Sequence, residues 1–261
     1  MSSLLTNASA MTALQTLSQT NKNLAITQNR IATGQRISEA SDNAAYWSIS
    51  VGMNAQNKAL SAVQDSLGFG KAILDTAYTA IHEALGKAED MIAKYVSLEQ
   101  DGIDSVAVNA EITQLKAQIL AIAVGADFEG QNLLSTAGTA VDVVSGYNKT
   151  TGVTTMQIAK YDLQAAIGGT ITNETEAQAL FTAMKTAAAN FGAMKMRIES
   201  QATFVSQQID AIDRGVGQLV DADMEAESAR LSALQVQQQL GIQALSIANS
   251  NTQNLLALFR N

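Results

Sequence analysis

Few residues in this chain have both the type and the spacing that chemistry requires. The single histidine, His82, cannot assemble a metal site or proton relay alone, and on a predicted helix it reads as a partly exposed or hydrogen-bonded side chain. Asp221 and Asp223 could hold a cation as a carboxylate pair. No second ligand cluster accompanies them, so they read as a solvated connector. Cysteine is absent, which removes disulfides and thiolate metal sites. Asn148-Lys149-Thr150 and Asn173-Glu174-Thr175 have N-glycosylation spacing, which says little alone, and Ser and Thr of the predicted hairpin could carry other sugars. Trp47 reads as packing, not as a stacking platform. No nucleophile stands beside a base, and no phosphate loop or metal motif is present, so an enzyme is the least supported class and no cofactor is expected.

With so little chemistry to position, the elements themselves become informative. Leu231 to Phe259 contains no charged residue and no proline, yet nearly half of its positions are Gln, Asn, Ser or Thr. Its apolar residues recur at helical spacing. Leu231, Leu234, Ile242, Leu245, Leu255 and Phe259 share one side, while Val236, Leu240, Ile247 and Leu258 fall on others. Such a helix, roughly 40 Å long at about 1.5 Å per residue, needs neighbours on more than one flank. Residues 1–21 are equally free of charge, and Ala10, Leu17, Leu24 and Ile31 recur every seven residues, the seam of a helix that supercoils on a partner. Chain ends are ordinarily polar, charged and frayed, so two uncharged, amide-rich helical termini are most economically explained by pairing.

Composition narrows the class further. A chain of 261 residues with 47% hydrophobic content can bury a substantial core. Proline is absent where average usage of about 5% would supply a dozen, which suits long uninterrupted helices. With 16 Lys and Arg against 24 Asp and Glu, the net charge of -8 disfavours nucleic acid and an anionic lipid surface as partners. Membrane insertion of the last stretch is disfavoured by the cost of desolvating its amides. Met1 to Asn21 lacks a basic start and a continuous apolar run, so no cleavable signal peptide is expected, and on these grounds alone the location would be cytoplasmic.

In chain order, Gly34 should end the first helix, and Ser41 or Asp42 should cap the next. From about Ala44 to Leu98 the pattern is helical, with Ile73, Ala77, Ala80, Ile81, Ala84 and Ala88 forming a narrow stripe of mostly small residues that permits close helix approach. Gln100-Asp101-Gly102 marks a turn. Ser105 to Val124 forms a further helix on Val108, Ile112, Leu115, Ile119 and Ile122. Val141 to Val144 and Val153 to Ile158 are rich in β-formers and flank a turn-prone segment, so a hairpin over about 141–158 is predicted. Asn173-Glu174-Thr175-Glu176 resembles a capping box for a helix over about 174–219, in which Val205, Ile209, Ile212, Val216 and Leu219 keep a heptad register. The fold class is therefore mainly α, a long antiparallel coiled-coil-like helical bundle with a small β-hairpin region. A discontinuous terminal-helix domain, 1–40 with 221–261, flanks a central domain, 41–220. No sequence repeat underlies this mirror-like order.

Asn29-Arg30-Ile31-Ala32-Thr33-Gly34-Gln35-Arg36-Ile37, Ser41-Asp42-Asn43-Ala44-Ala45, Phe128-Glu129-Gly130-Gln131-Asn132-Leu133-Leu134 and the run from Gln235 to Leu256 together resemble bacterial flagellin over nearly the whole chain. The resemblance implies a self-assembling filament subunit for swimming motility, whose terminal helices form an inner tube and whose central domain forms a rod. The variable outer domains of larger members are missing. It also implies export through a type III channel without a cleaved signal, which moves the expected location to the extracellular filament. Expected partners are further copies of the chain, an export chaperone, the type III export gate, and filament-cap and hook-junction proteins. The inner-tube residues expected to drive assembly are Ala10, Leu17, Leu24, Ile31, Leu231, Leu234, Leu240, Leu245, Leu255 and Phe259. Terminal helices unfolded before export would order only inside the polymer, where identical neighbours cover every flank.

Two stretches depart from the family pattern. Tyr46-Trp47 stands where many members place a small residue first, so the helix start should pack differently. Members detected by the animal innate flagellin receptor carry an Arg-rich stretch ending in Glu-Leu, whereas this chain reads Glu89-Asp90-Met91-Ile92-Ala93-Lys94-Tyr95-Val96. Acid in place of Arg at Glu89 and Asp90, within the segment that includes Ile92, Ala93, Lys94 and Val96, implies weak receptor activation. The nearest competing function is a hook-filament junction protein, which tends to carry a proline after its Ser-Asp motif. A membrane-inserting type III translocator and a coiled-coil signalling module are further alternatives, opposed respectively by the amide-rich ends and by the lack of charges flanking the terminal seam.

Overall fold

The computed structural model describes residues 7–169 and 171–258, with side chains described up to Ser250. Its elements are α1 (Ala8–Thr33), α2 (Ala44–Leu98), α3 (Ser105–Gly125), β1 (Val141–Asn148), β2 (Gly152–Ile158), α4 (Leu163–Gly168), α5 (Glu174–Val220) and α6 (Met224–Leu258). They form two compact units, residues 55–212 and residues 1–54 with 213–261. The division falls inside α2 and α5, whereas the sequence placed it at the connectors near 40 and 220. The first turns of α2 and the last turns of α5 pack with the connectors. A Cβ on Gly215 would lie 2.7 Å from the Met53 Cε, so Met53 occupies that space.

In the unit spanning 55–212, heptad periodicity builds the core. Leu60, Val63, Leu67, Gly70, Leu74, Ala77, Ile81, Ala84, Ala88, Met91 and Tyr95 alternate steps of three and four along α2, and all are buried. Ala177, Leu180, Met184, Ala187, Phe191, Ile198, Val205 and Ile212 keep the same phase on α5. Ion pairs Lys71 to Glu199 and Lys195 to Asp75 flank this antiparallel seam at 2.8 and 2.6 Å. α3 contributes Ile112, Ile119 and Ala123. At its far end the carbonyl of Ile171 accepts hydrogen bonds from the Tyr95 hydroxyl and the Lys116 ammonium, which fastens the approach to α5 onto α2 and α3.

The hairpin extends further than the β-formers alone indicated. β1 runs through Ser145 to Asn148 because a bulge between Val144 and Gly146 absorbs Ser145, leaving a short turn before Gly152 at φ 79°. The Ser66 Oγ accepts from the Val144 N–H, and Gln201 donates to the Ser145 carbonyl, so α2 and α5 both hold β1. The segment from Phe128 to Leu134 is a tight structural joint. Phe128 and Gln131 pair across Glu129 and Gly130, both at positive φ. Asn132 donates to the carbonyls of Ala123 and Val124 at the end of α3 and accepts from the N–H groups of Leu134 and Ser135, while Leu133 and Leu134 are buried. The short helix α4 is not signalled by periodicity, being only six residues long. Asp162 caps it by accepting from the Ala165 N–H.

Capping at α2 also differs from expectation. Asn43 accepts from the Ala45 and Tyr46 N–H groups, and Asp42 instead gathers the N–H groups of Ser38 and Glu39 into the preceding loop. At α5, Asn173 accepts from the Glu176 N–H, while the Glu176 carboxylate reaches back to Thr172, one residue beyond its place in a capping box.

Candidate assembly interface

The unit formed by residues 1–54 and 213–261 is built on the antiparallel pair of α1 and α6. The seam on α1 is Ala10, Ala13, Leu17, Thr20, Leu24, Thr27 and Ile31, and on α6 it is Glu227, Leu231, Leu234, Gln238, Gly241, Leu245 and Ala248. Both lists step by three and four, so a single coiled-coil register runs the length of the pair. Three contacts fix the alignment. Arg30 meets Glu227 at 3.0 Å, Gln238 donates to Asn21 at 2.8 Å, and Asn7 donates to the Ala248 carbonyl at 3.0 Å. Leu17 packs over Gly241, where a Cβ would approach its Cδ1 to 3.2 Å.

The expected assembly residues therefore divide. Leu234 is buried on the seam, and Ala10, Leu17, Leu24, Ile31, Leu231 and Leu245 are half-buried there. Leu240 is 58% exposed and lies off the seam. The Leu255 side chain and all of Phe259 lie outside the described residues. Reading only the apolar repeat of seven missed the interleaved positions, Ala13, Thr20 and Thr27 on α1 and Glu227, Gln238 and Gly241 on α6. They are polar or small, but extending the Leu17 to Leu24 phase by three residues points to Thr20 and Thr27. The Thr20 hydroxyl resolves its burial by donating to the Thr16 carbonyl within its own helix.

Near the connectors the seam changes from uncharged to ionic. Glu227, buried in the first turn of α6, accepts from Arg30 in the last turn of α1 and from Arg230 at 3.3 Å. Glu227 and Arg30 also each complement the helix end that carries them. The connectors are joined by backbone hydrogen bonds from Arg36 to the Val220 carbonyl and from Ala222 to the Gly34 carbonyl, and the Arg36 guanidinium donates to the Leu219 carbonyl. Asp223 caps α6 by accepting from Glu225 and Ala226, while exposed Asp221 pairs with Gln35 in an isolated bridge. These acids organise backbone. Among the described residues, no cluster of His, Asp and Glu has metal-holding geometry, and no helix is long and apolar enough to cross a membrane.

The pair covers one face of each helix and leaves others open. Met11, Leu14 and Ile26 on α1 and Val236, Leu240, Ile242 and Ile247 on α6 are exposed. A helix with apolar residues beyond its packed stripe is made for further neighbours. Residues 4–139 match the bacterial flagellin N-terminal helical region, and residues 175–259 match the bacterial flagellin C-terminal helical region.

The chain belongs to the bacterial flagellin family.

A flagellin of Brucella melitensis biotype 1 is 47% identical over 281 residues, and flagellin C of Rhizobium meliloti is 38% identical over 320, each covering 100% of both chains. Both alignments exceed 261 positions, so these relatives carry insertions relative to this chain. A crystal structure of Bacillus cereus flagellin covers 64% of this chain and 94% of its own at 19% identity, with a TM-score of 0.39, too slight a likeness to place individual helices. The chain is thus a structural protein, not an enzyme: a subunit that self-assembles into the extracellular flagellar filament. The mainly α fold with one two-stranded antiparallel sheet agrees with the sequence expectation. Nothing in these matches favours a hook-junction role.

The segment expected to alter receptor recognition lies on α2. Glu89, Asp90, Ala93 and Val96 are exposed, and Ile92 and Lys94 are half-buried. Lys94 pairs with Glu111 of α3, and Lys87 with Asp90 at 3.9 Å. Lys87 thus stands beside the Asp90 carboxylate and Lys94 beside that of Glu111, while Glu89 is exposed.

Proposed function

We propose that the open faces of the α1–α6 pair are where successive copies cover one another in the filament. The observation that carries this reading is the exposed apolar set that includes Leu14, Val236, Leu240 and Ile247 on two helices already sealed to each other. Ala10, Leu17, Leu24, Ile31, Leu231, Leu234 and Leu245 align the pair, Leu240 meets neighbouring copies, and Leu255 and Phe259, in sequence phase with Leu245, complete the assembly set. In this division of labour, residues 1–40 and 221–261 form the inner tube and residues 41–220 the rod. Polymerisation seals faces that a single chain leaves in water, and the repeated heterologous contact propagates an open helical array.

Leu240→Asp tests this reading. The side chain is exposed, so the carboxylate is solvated in the single chain and buried unpaired only when a copy docks. The variant should keep parental helicity and unfolding midpoint yet yield no sedimentable filaments. Filaments at the parental yield would contradict the assignment.

The same reading includes export without a cleaved signal through the type III gate with a dedicated chaperone, and contacts with filament-cap and hook-junction proteins. It also includes weak detection by the innate flagellin receptor, supported by the exposure of Glu89 and Asp90 where detected members carry Arg. In a receptor reporter assay, the double change Glu89→Arg and Asp90→Arg should raise the response at least tenfold. A parental protein that already gives a strong response at low concentration would remove the basis for this claim.

A further inference from the structure

A cavity of about 390 Å³ opens between the end of β2 and the first half of α5, within residues 55–212. Ile158, Ala187 and Phe191 form its buried base, and the half-buried side chains of Met194 and Tyr161 stand as walls. Lys160, Thr186 and Asn190 sit at its exposed rim. That volume and that mix of apolar walls with a few polar groups are those of a small-molecule site. Tyr161 is the exception in the lining. Its N–H is fixed to the Leu133 carbonyl at 2.8 Å, yet its hydroxyl is shielded from water and bonds to no protein group. Leaving a buried donor unpaired costs stability, and phenylalanine would fill the same space without that cost. Burial also pushes the phenol above its ordinary pKa, so the hydroxyl keeps the proton it would donate.

We propose that this cavity binds a small, uncharged aromatic ligand that carries one hydrogen-bond acceptor, to which the Tyr161 hydroxyl donates. Shape and chemistry of the lining select that class. The base is apolar, which suits a ring set against Phe191 and the Met194 thioether. The unpaired group in the wall is a hydroxyl, which a ketone or ester carbonyl satisfies by accepting its proton. An anion is disfavoured twice. The Lys160 ammonium at the rim is already engaged by the Asp162 carboxylate at 3.7 Å and the Thr136 carbonyl at 3.2 Å. Residues 55–212 also carry ten Lys and Arg against seventeen Asp and Glu, so the unit repels negative charge. Water is a poor occupant of the base, because an ordered water needs about two to four polar partners. This binding function is separate from assembly and uses no residue of α1 or α6.

Methyl naphthyl ketone and isopropenylnaphthalene are probes of nearly the same shape, and only the ketone carries an acceptor. Each is titrated into the full chain while the methyl signals of its nine methionines are followed by NMR, with Met194 assigned through Met194→Leu. The ketone should shift the Met194 methyl and bind at least about tenfold more tightly than the alkene. In Tyr161→Phe that preference should vanish, while the thermal midpoint of the ligand-free variant should rise by about 2–4 °C. Ala183→Trp, at the exposed rim, should block both probes and leave the core untouched. Equal affinity for the two probes, a ketone preference that survives in Tyr161→Phe, or an unmoved Met194 methyl overturns the proposal. Undiminished binding to Ala183→Trp places the probes elsewhere and overturns it as well. A lower midpoint in Tyr161→Phe means that the hydroxyl is already held within the protein, which removes the reason for a ligand acceptor.

Discussion

At the scale of single residues, the polar side chains of this subunit shape backbone instead of performing chemistry. Asp42 accepts the N–H groups of Ser38 and Glu39, and Asp162 accepts that of Ala165, with help from the Thr136 hydroxyl and Lys160. Those donors stabilise the carboxylate form and hold both acids below the ordinary Asp range. A folded-state pKa below the unfolded one contributes stability that is present above the unfolded value of about 4 and is lost as pH falls through the folded value. Thermal midpoints should therefore be flat from pH 7 to 5 and fall below about pH 4. Asp42→Asn should shrink the acid-dependent part of that fall, because the amide does not titrate; an unchanged slope would show that Asp42 contributes none of it. The sequence marked Ser41 or Asp42 as the cap of α2. Ser41, Asp42 and Asn43 are all competent caps, and composition cannot rank three adjacent ones. Backbone geometry gave the cap to Asn43 and freed Asp42 for the loop.

At the scale of elements, what could be read in advance is what repeats. The limits of α2 at Ala44 and Leu98 follow from uninterrupted periodicity without proline, and the end of α1 follows from Gly34, which adopts the left-handed conformation at φ 70°. The polar half of the α1–α6 seam was hidden because Thr20, Thr27, Glu227 and Gln238 look like surface residues until their phase is counted. Contacts between elements distant in sequence leave no local trace at all. Gly70 is the clearest case. On α2 it looks like a weak point in a helix, but a Cβ there would lie 2.5 and 2.9 Å from the two methyls of Val143 on β1. Gly70→Ala therefore gains about 1 kcal/mol of helix propensity and loses about 1–3 kcal/mol to overpacking. The expected result is net destabilisation of about 1 kcal/mol, seen as a lower denaturant midpoint. Val143→Ala should relieve it, so the double variant should be more stable than the sum of the single effects. An additive cycle would mean that the hairpin does not seat on Gly70.

At the scale of the molecule, charge is divided unevenly between the two units. Residues 55–212 hold seven of the eight net negative charges, and the terminal unit is nearly neutral. On the proposed reading, apolar surface on the terminal helices drives assembly and repulsion between the acidic units of neighbouring copies opposes it. The two forces respond to salt in opposite ways. Raising ionic strength from 0.01 to 0.15 M shortens the screening length from about 30 to about 8 Å, which removes most repulsion between exposed charges on adjacent copies. Apolar contact is unaffected over that range or slightly strengthened. The critical concentration for polymerisation should accordingly fall as salt rises, with sulfate more effective than chloride at equal ionic strength because it also favours apolar burial. Sedimentation of polymer across a salt series measures this directly. A critical concentration that rises with salt would mean that intersubunit ion pairs drive assembly. The opposition also gives the acidic central unit a physical role: it holds free subunits apart at low concentration, while the neutral helices prevail once copies are crowded at a growing end.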